Sequence, residues 1–87
     1  MKLTFFADPG HGWLRVPTSQ LKKLGITNKI TYFSYISPSK RYVYLEEDCD
    51  MSTFLRAYGP EIGPIREVYT DNESSIRKLQ PYKEELI

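Results

Sequence analysis

Residues 29–46 read KITYFSYISPSKRYVYLE. The flanks, Lys29 to Ile36 and Arg41 to Glu46, are dense in β-branched and aromatic side chains, and Ser37-Pro38-Ser39-Lys40 between them has the composition of a turn. The pattern predicts a β-hairpin, and its register decides what each sheet face is made of. If Tyr35 opposes Tyr42 and Phe33 opposes Tyr44, those four rings share one face. Ile30, Tyr32, Ile36, Val43 and Leu45 then take the other and supply core. The aromatic face has two readings. It is a second core layer covered by the helix that follows, or an exposed platform for a planar ligand, a base or a partner. In the second reading Lys40 and Arg41 supply cations for a phosphate, and Tyr35, Tyr42 and Tyr44 are the binding residues.

Outward from the hairpin, Asp50 to Tyr58 has helical spacing, with Met51, Leu55 and Tyr58 on one side and Gly59-Pro60 as its stop. On the N-terminal side, Lys2 to Ala7 and Trp13 to Val16 are strand-like. The turn Asp8-Pro9-Gly10-His11-Gly12 joins them into a first hairpin. Pro17 ends it, Thr18 or Ser19 is placed to cap a short helix through Leu21 and Leu24, and Gly25 suits a left-handed helix end. Ile65 to Tyr69 is a further strand, and a turn or short helix is expected around Ile76 and Leu79. The expected fold is α+β: a small, mostly antiparallel sheet of two hairpins plus one strand, with two short helices. Residues 1–80 form one domain, and 81–87 a loose tail.

The chain has 87 residues, too few for a thick core. One cysteine rules out an internal disulfide, and one cysteine with one histidine cannot make a four-ligand zinc cluster. Twelve basic against eleven acidic residues leave a net charge of +1, which argues against nucleic acid as the main partner. The apolar runs are short, so we expect a soluble cytoplasmic protein with no membrane contact. Aromatic content of 14%, with seven tyrosines, suits half-exposed binding surfaces.

Two clusters invite chemistry. Glu46, Glu47, Asp48 and Asp50 surround Cys49. Asp48 or Asp50 is expected to cap the following helix, where negative charge meets free amides and the helix dipole. The same carboxylates disfavour a thiolate, so Cys49 is a poor nucleophile. A calcium loop counted from Asp48 would want glycine sixth and glutamate twelfth, but Thr53 and Gly59 stand there. We expect no metal and no cofactor. His11 with Asp8 has the makings of an acid–base pair, but it also sits in a good turn, where it is a candidate binding residue.

The run from His11 to Tyr58 contains HGWL and VP, then Leu21 with Leu24-Gly25-Ile26, then Phe33-Ser34-Tyr35, then YLEEDCD followed by Phe54. This resembles small uncharacterised proteins carried by bacteriophages, prophages and plasmids, over about residues 8 to 58. The resemblance implies a mobile-element accessory protein acting in a bacterial host cell. Such proteins inhibit host machinery or defence by binding, often as dimers or larger rings. The expected function is therefore a non-enzymatic accessory protein that binds and inhibits or sequesters a host protein or a nucleotide-like ligand, as a homo-oligomer. The alternatives are a nucleic-acid module using the aromatic, basic hairpin, and a small hydrolase or metal-dependent enzyme using Asp8, His11 and the acidic run.

Overall fold

A computed structural model describes all 87 residues, Met1 to Ile87. Strands β1 (Leu3–Ala7), β2 (Gly12–Pro17), β3 (Tyr35–Ile36), β4 (Tyr42–Glu46), β5 (Ile65–Tyr69) and β6 (Gln80–Pro81) form one sheet in the order β5-β1-β2-β4-β3-β6. All neighbours are antiparallel except β1 and β5. Two helices, α1 (Thr18–Lys23) and α2 (Met51–Tyr58), complete an α+β fold with a small, mostly antiparallel sheet. No helix is long and apolar enough to cross a membrane.

Alternation along the strands separates the two faces. Leu14 and Val16 of β2, Val43 and Leu45 of β4, and Ile36 of β3 point inward and are buried. They form one cluster with Leu21 of α1 and Phe54 of α2, which places both helices on this face. Phe54 is wholly buried, and its burial contributes about 2–3 kcal/mol. Gly12 begins β2 without a side chain because a methyl there would collide with the Phe5 ring.

The central hairpin forms with a shifted register. Tyr35 faces Tyr44, and Ile36 faces Val43. The expected register needed a two-residue loop of Pro38 and Ser39. Such loops require positive φ at their first or both positions, and the proline ring forbids it. The turn instead runs through Lys40, at φ 63°, and Lys40 N–H donates to Ser37 O at 2.9 Å. The shift is by two residues, so the side chains of β3 and β4 keep their faces.

Residues 29–34 are not strand. Thr27–Lys29 is a 3₁₀ turn, and a looser turn follows. Tyr32, expected in the core, is 68% exposed and stacks on its neighbour Phe33, which lies outside the hairpin strands. The cause is Asp50. Its buried carboxylate Oδ2 accepts from Thr31 N–H, from the Thr31 hydroxyl and from the Ser34 hydroxyl, and this folds the segment back.

Asp50 thus stands just before α2 but makes no side-chain cap. Glu46 satisfies that turn, its Oε2 accepting from the amides of Asp48 and Cys49 at 2.9 and 3.0 Å. Thr18 does not cap α1 either: its hydroxyl donates to Lys40 O at 2.8 Å.

The segment after Pro81, expected to be loose, is tied in. Pro81 faces Tyr35 in β3, and Tyr82 is buried in the core, its hydroxyl donating to Thr27 O at 2.7 Å. Leu86 and Ile87 pack against the same cluster. Those few apolar residues in a polar stretch close the inner face beside β3.

Candidate binding face of the sheet

Neither α1 nor α2 covers the outer face. Register sets Thr4, Arg15, Tyr44 and Tyr35 in one row across it, and Phe6, Trp13 and Glu46 in the next. Tyr42, facing Pro17, continues the β4 column at the other end. The Arg15 guanidinium lies 5.2 Å from the Phe6 ring centre and 5.3 Å from that of Tyr42. Phe6 in turn meets Tyr44 at 6.1 Å. An arginine between two rings is a favourable cation–π arrangement and leaves its donors free for a ligand. Tyr42 is 41% exposed, and Tyr35 and Tyr44 are half-buried.

The aromatic face is therefore not the layer beneath α2. Tyr35, Tyr42 and Tyr44 do share it, as the sequence pattern predicts; Phe33 lies outside the strands but borders one end of it beside Trp13 and Tyr35. The missed contributors are Phe6, Arg15 and Trp13. Alternation in KLTFFA and GWLRVP carried that signal, because it sends those three residues to the side opposite Leu3, Leu14 and Val16.

One end of the face is crossed by a strap. The β5 and β6 strands lie at opposite edges of the sheet, so residues 70–79 pass from one edge to the other. Arg77 in this strap lies 5.3 Å over the Trp13 ring, and Ile76 is buried. Asp8 anchors it: the carboxylate accepts from Arg77 Nε and Nη2 at 2.7 and 2.8 Å, and from the amides of Gly10, His11 and Ser74. The Arg77 guanidinium above all, with those amides, holds the Asp8 carboxyl well below the usual carboxylate range against the opposing effect of burial. Asp8 is fully engaged and accepts nothing from the His11 ring, so the turn reading holds and an Asp–His acid–base pair does not form.

His11 instead turns to the acidic run. Its Nδ1 is 3.5 Å from Glu46 Oε1, and His11, Glu46 and Asp48 each bring a ligand atom within 4.8 Å of the others. With Trp13, Phe33, Tyr35, Cys49 and Arg77 they line a cleft of about 300 Å³. A divalent ion would find one imidazole and two carboxylates there, although Glu46 Oε2 is already committed to backbone amides. Cys49 is exposed, and its thiol is pushed up by desolvation first, then by the charges of Glu46, Asp50 and Asp48. A protonated thiol is a weak nucleophile.

At the other end, Lys40 and Arg41 line a second cleft of about 400 Å³ with Tyr42, Lys22, Pro17, Thr18 and Ser19. The six residues singled out in the sequence thus divide between two clefts, with Tyr44 on β4 between them. His11 and Tyr35 lie at the acidic cleft, Tyr44 in the middle, and Tyr42, Lys40 and Arg41 at the basic cleft.

No family model, curated protein or solved structure matches this chain.

Proposed function

We propose that this is a non-enzymatic binding protein of a phage or other mobile element, and that it captures a planar, nucleotide-like ligand on the outer sheet face in a bacterial host cell. One observation carries the reading: the Phe6–Arg15–Tyr42 stack, with Tyr44 beside it, lies on the sheet face that neither helix covers. Exposed rings on a sheet bind planar groups because every base has a π-face. The polar edge of such a ligand has His11, Glu46 and Asp48 within the neighbouring cleft to bond to. Sequestration of the ligand would be the protein's contribution in the cell.

Tyr42→Ala tests this directly. The ring is 41% exposed, so its loss should leave melting within a few degrees of the parent. Binding of 5′-mononucleotides, followed by ligand-detected NMR, should weaken by about 1–3 kcal/mol. Mononucleotide binding unchanged by the substitution, or absent from the parent protein, would remove the ring-stacking reading.

A further inference from the structure

We propose that the basic cleft between the start of α1 and the 38–41 turn is a phosphate-binding subsite. Its charged lining is Lys22, Lys40 and Arg41, and no carboxylate borders it. The ion contacts of the molecule are Arg77 with Asp8 and His11 with Glu46, both at the other end of the face. Three unpaired cations around one concavity repel one another, and a bound anion relieves that repulsion. Arg15, also without a carboxylate partner, adds a fourth positive group through its contact with the Tyr42 ring. The hydroxyl of Ser19 borders the same space as a neutral donor.

The backbone supplies the independent observation. Lys40 is the one residue other than glycine at positive φ, at 63°. A turn selected for stability alone would carry glycine or asparagine there, since a side chain in that conformation is strained. The strain is held in place. Thr18 donates from its hydroxyl to Lys40 O and from its amide to Arg41 O, each at 2.8 Å, which fixes the turn against α1. The clamp sets Lys40 and Arg41 beside Lys22 of α1 and presents the three as one group.

The cleft also sits in register with the aromatic face. Tyr42 borders it, and Glu46 of the acidic cleft lies four residues along β4, about 13 Å away at strand rise. A mononucleotide spans such a length, with its phosphate at the basic end. That identity of the ligand rests on the proposed function; the anion chemistry of the cleft does not.

The experiment uses the whole chain and two probes, inorganic phosphate and adenosine, in titrations followed by amide chemical shifts. Phosphate should shift the amides of Thr18, Ser19, Lys40, Arg41 and Tyr42. Arg41→Ala and Lys40→Gly should each weaken phosphate binding about tenfold or more, as the loss of a charge-assisted contact does. Lys29→Ala, outside the cleft, should bind phosphate as the parent does. Lys40→Gly should in addition melt higher by a few degrees, because glycine relieves the strain while the charge is lost. Phosphate shifts absent from this segment, or unchanged affinity in both cleft variants, would overturn the subsite. Adenosine reads the aromatic face separately. If phosphate binds at the cleft and adenosine binds nowhere, the subsite stands and the stacking reading fails.

Discussion

Asp50 directs three donors onto one carboxylate oxygen, and the local chain path depends on it. The residue is 1% exposed. Removing its side chain leaves the Ser34 O–H and the Thr31 N–H without an acceptor, although Ser34 Oγ still accepts from Glu46 N–H, and this costs more than a lost cap. Asp50→Ala should destabilise by about 3 kcal/mol in urea unfolding. Asp50→Asn is the informative change. At a helix cap asparagine replaces aspartate at almost no cost. Here it keeps an accepting oxygen but brings two buried donors that have no acceptor, so it should cost clearly more than zero. An Asp50→Asn protein with the parent's unfolding midpoint would restore the capping role that the sequence suggests.

At the level of elements, Tyr82 is the buried anchor of the C-terminal segment. Tyr82 fills the inner face next to β3, and its hydroxyl bonds Thr27 O. Burial first, then the charges of Glu84 and Asp50, pushes the phenol from 10.0 to about 12. Between those values the unfolded chain has released a proton that the folded chain keeps. Tyr82 therefore contributes its stability below pH 10 and loses it as pH rises through about 12. Tyr82→Phe should cost about 1 kcal/mol at neutral pH, for the lost hydrogen bond. It should also flatten the fall of melting temperature above pH 10, and an alkaline profile identical to the parent's would argue against this accounting.

The elements differ in how far the sequence reveals them. The β1, β2, β4, α2 and β5 segments were legible because each is a self-contained periodic run with a turn signal at its end. The 29–34 segment was not. Its β-branched and aromatic composition favours strand, and only the distant Asp50 carboxylate overrides that preference. The β6 strand is two residues long, with no periodicity to read. At the candidate site, the tyrosines, Lys40 and Arg41 were legible from the hairpin. Lys22 and Arg77 were not, because only contacts between separate segments bring them to the two clefts, whereas alternation in β2 marked Arg15.

For the molecule as a whole, the Asp8–Arg77 pair fastens the strap across the sheet. The Asp8 carboxyl titrates below its ordinary value of 3.8 in the folded chain. Its contribution is thus complete above the ordinary carboxylate range and fades as pH falls below that range. Melting temperature should drop as pH falls from about 5 to about 2. Asp8→Asn should start lower at neutral pH and decline less over the same interval. Equal acid sensitivity in parent and variant would show that other carboxylates govern the decline. The same strap fixes the order in which the sheet can be finished. Both marginal strands, β5 and β6, come from residue 65 onward, yet β5 pairs with the first strand of the chain and β6 with a strand from its middle. A nascent chain leaving the ribosome therefore carries both flanks of its β-sheet bare until residues 65–81 emerge. A message cut short after α2 would yield a four-stranded remnant with two unprotected borders, open to pairing with another chain.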